Sequence, residues 1–182
     1  MAITPDTKNW TWVLDQVCPE CGFDAAAVDL ASVGALVRDN VAAWPTLLAD
    51  ARVRERPADD QWSALEYGCH VRDVFILFDE RLHRMLNEDG PQFANWDQDV
   101  TAVEQRYDLQ DPAVVSDELV AAGTACAARW DEVTDGDWGR TGDRSDGSSF
   151  TIDSFARYFL HDPVHHLADV LAGYGRLGPP AR

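Results

Sequence analysis

Apolar residues recur at spacings of three and four along most of the chain, while alternation with a period of two is almost absent, so the pattern predicts an all-α fold. Leu30, Val33, Val37, Val41, Trp44 and Leu48 form one stripe, which predicts a first long helix over about 29–51 with Pro45 as a kink or break inside it. After the loop RERPADDQ, an acidic cap near Asp60 precedes WSALEYGCHVRDVFILFDERLHRMLNED, the strongest helical pattern in the sequence, which should end near 87–90. The stretch GPQFANWDQDVTAVEQRYDLQDP reads as a long connection holding one short helix, and a third long helix follows over about 112–133. TDGDWGRTGDRSDGSSF is too rich in Gly, Asp and Ser to be helical throughout. Ser149 or Thr151 can then cap a fourth long helix over about 152–174, which the glycines and GPPAR bring to an end. Four long helices with unequal connections predict a four-helix bundle with long crossovers. The chain divides into an N-terminal extension (1–28), the bundle (29–175) and a tail (176–182).

Composition narrows the function. With 182 residues, 46% of them hydrophobic, the chain can bury a core large enough for one domain without staples. No run of eighteen apolar residues occurs, and MAITPDTKNW lacks the basic start and apolar middle of a signal peptide, so a cytoplasmic protein is expected. A net charge of −17 opposes binding to phosphate backbones and anionic membranes, leaving a small molecule as the expected partner. Cys18, Cys21, Cys69 and Cys126 are too few for a disulfide framework. Cys18-Pro-Glu-Cys21 is half of a zinc knuckle, but no second CxxC or HxxxH follows at finger spacing, and Pro19 and Gly22 suit a simple turn there.

Three of the five histidines fall in HDPVHH, residues 161–166. On a helix, residues four apart share a face, so one metal ion can use His161 with His165, or Asp162 with His166; the two registers are rotated by about 100°. The first offers two nitrogens and is preferred. A third ligand must come from a facing helix, where His70 and His83 point roughly 220° apart. Tyr67, Val74 and Leu77 accompany His70 on an inward face, whereas Arg81 and Arg84 flank His83 on a solvated one.

WSALEYGCH and FTIDSFARYFLHDPVHH together resemble the DinB-like superfamily, metal-binding four-helix bundles that include thiol transferases and the N-terminal domains of mycothiol-dependent maleylpyruvate isomerases. The resemblance spans about 29–174 and rests on Trp62, His70, His161, Asp162 and His165. It implies that His70, His161 and His165 hold a divalent metal, zinc or nickel, with open positions for water or a thiol such as mycothiol, in an S-transferase or isomerase acting on a small electrophile. The alternatives are a metal-dependent hydrolase and a non-catalytic metal-binding module that pairs with a second copy of itself as a homodimer. Glu66, Asp73, Asp162 and Asp169 lie at spacings from which a carboxylate can support a ligating imidazole. Arg140, Arg144 and Trp138, in the loop that enters the last helix, are the candidate substrate contacts. Pro163, between the paired histidines, should bend the helix and adjust their approach to one ion.

Overall fold

Ser63 starts the helix on which His70 stands. Its hydroxyl accepts from the Glu66 N–H while the Glu66 carboxylate accepts from the Ser63 N–H, so two donors at the helix start are satisfied reciprocally. The computed structural model describes residues 9–179, which leaves the predicted tail beyond 179 and the first eight residues of the extension outside the described region.

In chain order the elements are α1 (Val33–Leu48), α2 (Ala64–Asn87), β1 (Gln92–Phe93), α3 (Gln98–Glu104), α4 (Pro112–Asp131), β2 (Thr141–Arg144), β3 (Ser149–Thr151) and α5 (Ile152–Leu177). Short 3-10 turns at Trp10–Leu14, Ala25–Ala27 and Leu30–Ser32 lead into α1. Asp111 caps α4 with Pro112 as its first residue, and Thr151 caps α5 through a reciprocal bond with Ser154. Leu30 of the predicted first stripe belongs to the last 3-10 turn, while Val33, Val37, Val41, Trp44 and Leu48 are all buried on α1. Neither proline ends its helix: α1 runs through Pro45 and α5 through Pro163. The Pro163 carbonyl accepts 2.8 Å from Asn40 Nδ2, and Asn40 in turn accepts from the Trp44 indole at 3.0 Å. A buried amide on α1 thus holds the turn of α5 that carries the histidines. α5 ends at Gly178, whose φ of 72° suits a residue without Cβ.

The four long helices pack in the ring order α1, α4, α2, α5. Consecutive helices α1 and α2 therefore lie across a diagonal, as do α4 and α5, and the long connections between them are the expected crossovers. Gly123 sits where α4 passes α1 and α2: a Cβ there would come within 2.2 Å of Val41 Cγ2 and 3.1 Å of the Phe75 ring. Phe75, Phe78, Phe155, Phe159 and Trp130 fill the centre with ring pairs 4.8 to 6.3 Å apart.

One expectation needs correction. The fold is mostly helical but not purely all-α, because β1 pairs parallel with β2 and β2 antiparallel with β3. This small sheet ties the connection after α2 to the loop before α5. Arg140, at the edge of β2, donates to the Met85 and Glu88 carbonyls at the end of α2 (2.6 and 2.9 Å), where a cation meets the negative end of the helix. No helix among the described residues is long and apolar enough to cross a membrane.

Candidate metal centres

The turn of α5 from His161 to His166 faces a cavity of about 740 Å³, and α2 brings His70 to the same place. His70 is 2% exposed, and its Nε2 lies 3.3 Å from Asp162 Oδ1. Beyond that contact, neither ring nitrogen of His70 nor Asp162 Oδ1 makes a hydrogen bond. Buried polar atoms left in this state cost free energy unless another partner completes them. His166 supplies a third donor: its Nε2 is 3.9 Å from Asp162 Oδ1, and its ring lies edge-on to that of His70 with centroids 4.7 Å apart. Ligand atoms of His70, Asp162 and His166 all fall within 4.8 Å of one another, close enough to converge on one ion. Burial alone would raise the Asp162 carboxyl, but His70 and His166 outweigh it and hold the group at about 2, so a carboxylate is available at neutral pH.

Asp169, one turn further along, orients the neighbouring rings. Its Oδ2 lies 3.1 Å from His166 Nδ1 and 3.5 Å from His165 Nε2. An acceptor on one imidazole nitrogen fixes the tautomer and frees the other nitrogen for a metal. Asp169→Asn is expected to weaken divalent metal binding by about 10- to 100-fold, read by competition with a chromophoric chelator.

The three histidines of the expected set are not gathered into one group. Among the described residues, His70 joins Asp162 and His166, while His161 and His165 join Cys18 and Cys21. Each i,i+4 register of HDPVHH thus contributes to a different one of these clusters, and a third group, His165 with His166 and Asp169, lies between them.

Other expected site residues fall in different places. Glu66 closes the start of α2 and pairs with Arg56, with Nε donating at 2.9 Å. Asp73 accepts from the Tyr107 hydroxyl and from Arg72. Arg140 caps α2 as described, and Trp138 packs partly buried against the core. Arg144 does line the cavity, held by Asp146 and bonded to the Tyr158 hydroxyl at 3.1 Å. His83 is exposed as expected, but Arg81, read as its solvated neighbour, is buried and donates to the Ala94 carbonyl at 2.8 Å. Residues that sequence reasoning left out include Trp96, stacked on His70 at 5.4 Å, and Trp10, whose ring lies 5.3 Å from His161. A wider groove lined by Arg72, Ile76, Val114 and Glu118 contains none of these ligand groups.

A four-helix bundle in which imidazoles, thiols and carboxylates converge in groups that could hold a metal ion defines the class of helical protein to which this chain is compared. The chain belongs to the DinB superfamily, whose family model matches residues 35–170. Among solved structures it is similar to one described as "YfiT from Bacillus subtilis is a probable metal-dependent hydrolase with an unusual four-helix bundle topology", with a TM-score of 0.65 and 17% identity over 96% of this chain and 93% of that one. At that identity the likeness speaks for the fold. No curated protein matches the sequence.

Proposed function

We propose that this chain is a metal-dependent hydrolase of a small molecule, with the ion held by His70, Asp162 and His166. The observation that carries this reading is the convergence of His70, Asp162 and His166 ligand atoms within 4.8 Å of one another in the lining of a cavity, with no other hydrogen bond to the His70 nitrogens or to Asp162 Oδ1. Two imidazoles and a carboxylate suit zinc or nickel, and the carboxylate makes manganese and iron(II) acceptable as well. Such an ion, when bound, lowers the pKa of a water on an open position and polarises a carbonyl or phosphoryl oxygen. The protein supplies orientation: Asp169 steers His166, and Trp96 and Trp62 flank the His70 ring at 5.4 Å each. A carboxylate in place of a third imidazole is the harder donor, which favours an oxygen nucleophile over a sulfur one. The hydrolase description of the solved relative points the same way.

Thiol transfer or isomerisation is the second reading. It is favoured by the size of the cavity and by its polar rim, where Asp60, Gln61, Asn95, Asp97 and Asp99 offer acceptors to a hydroxyl-rich thiol such as mycothiol. The two separate in one experiment: protein loaded with zinc, nickel or manganese is assayed against ester, amide and phosphoester panels, and in parallel for consumption of low-molecular-weight thiols with electrophiles. Chelator-sensitive turnover without thiol is expected. Turnover that requires a thiol transfers the assignment to the second reading, and no turnover in any arm removes both.

A further inference from the structure

We infer that Cys18, Cys21, His161 and His165 form a second metal site, a closed tetrahedral Cys2His2 centre that takes zinc and fastens the N-terminal segment to α5. One ligand atom from each of the four residues lies within 4.8 Å of all the others. Two thiolates and two imidazoles are a donor set of structural zinc. With bonds of about 2.3 Å to sulfur and about 2.0 Å to nitrogen, the sulfur-to-nitrogen edge of such a tetrahedron is about 3.5 Å. Cys18 Sγ and His165 Nδ1 are 3.7 Å apart.

The surroundings fit the same ion. Cys18 is fully buried, and its carbonyl and N–H are tied to Gly22 and Phe23 at 2.8 and 2.9 Å, which curls the Cys-Pro-Glu-Cys-Gly segment into a tight loop. Gly22 has a φ of 76°, and this left-handed residue lets the loop turn back. His161 is 4% exposed and its Nε2 is buried with no hydrogen-bond partner, an imidazole whose polar atoms the protein leaves incompletely satisfied. On the far side of His165, Nε2 lies 3.5 Å from both Glu20 Oε2 and Asp169 Oδ2, the carboxylate backing that ligating imidazoles usually have. Trp10 packs on the rings of His161 and His165 and Phe23 on that of His161, with centroids 5.2 to 5.6 Å away.

Binding balances simply. Zn²⁺ replaces the protons of two thiols, two H⁺ pass to solvent, and the resulting centre of Zn²⁺ with two thiolates and two neutral imidazoles has no net charge. All four positions are filled by protein, so this ion shapes the molecule and leaves no coordination position for substrate. It still bears on the cavity, because Trp10 and Glu20 belong both to the fastened segment and to the cavity lining.

The test is Co²⁺ titration of the full chain followed by absorption, with Zn²⁺ as competitor. Wild type should develop intense tetrahedral ligand-field bands and a near-ultraviolet thiolate-to-cobalt charge-transfer band, the latter bleached by Zn²⁺ in slight excess over the two proposed sites. Cys21→Ser should lose the charge-transfer intensity by half or more, whereas Asp162→Asn, which touches only the other centre, should keep it. Alkylation of the native protein guards against misfolded variants: Cys21 should react at least about ten times faster after chelation than before. Absence of a charge-transfer band in wild type, its persistence unchanged in Cys21→Ser, or alkylation indifferent to chelator each overturns the site. None of these readouts depends on activity, so a failure here is distinct from a failure of the hydrolase reading.

Discussion

Asp162→Asn and His166→Ala are each expected to abolish high-affinity Mn²⁺ binding and to lower kcat/KM by on the order of 10³-fold, equivalent to about 4 kcal/mol of transition-state stabilisation. Mn²⁺ is the appropriate probe because it prefers carboxylate and imidazole to thiolate and so reports the His70 centre alone; the free ion can be followed by electron paramagnetic resonance. His161→Ala is expected to leave Mn²⁺ binding in place. The alternative set of His70, His161 and His165 inverts the ranking, with His161→Ala stripping the metal and His166→Ala sparing it. The contrast between two residues on one helical turn therefore decides which register holds the ion beside His70.

Phe159→Ala should be the most damaging single truncation in the core below that turn. The ring is fully buried and meets Phe75, Phe78 and Trp130 at 6.1, 5.0 and 5.7 Å between centroids. Removing it leaves a cavity walled by other rings that cannot easily collapse, at a cost of about 4 kcal/mol. For a domain of this size that corresponds to a fall in Tm of about 10 °C. Thermal melts must be compared at one fixed metal concentration, since any ion bound to the native state raises the midpoint. A change of less than about 1 kcal/mol would show that the aromatic cluster repacks freely.

The long helices were legible because their signals are local. The periodic stretch around His70 and the stripe from Val33 to Leu48 repeat often enough to fix helix and inward face together, although the cap of α2 is Ser63 and not the acidic residue expected near Asp60. The sheet was not: β2 is Thr-Gly-Asp-Arg and β1 is two residues long, so neither carries a period-2 apolar pattern. Their pairing depends on where the crossover leaves them.

The turn that carries the candidate ligands was legible; which of its side chains lie beside His70 was not. HDPVHH offers two sets of ligands, and counting nitrogens favours His161 with His165 beside His70. Which set faces α2 is decided by the rotation of α5, and that rotation is fixed by the burial of Phe155, Phe159, Leu160 and Val170. The Cys18–Cys21 pair looked like half a zinc site because its other half lies 140 residues downstream of Cys21, at His161, far outside the spacing of a finger.

The two registers on α5 impose a condition on the helix as a rigid body. His161 and His165 project about 100° away from Asp162 and His166, so any roll of α5 about its axis displaces both sets together and in the same sense. A rotation that improves the fit at one cluster spoils it at the other. The helix has in effect one allowed angle, and the Asn40 hydrogen bond to Pro163, at the middle of the shared turn, acts as its stop. A substitution on α1 at Asn40, which belongs to neither cluster, is therefore placed to detune both at once.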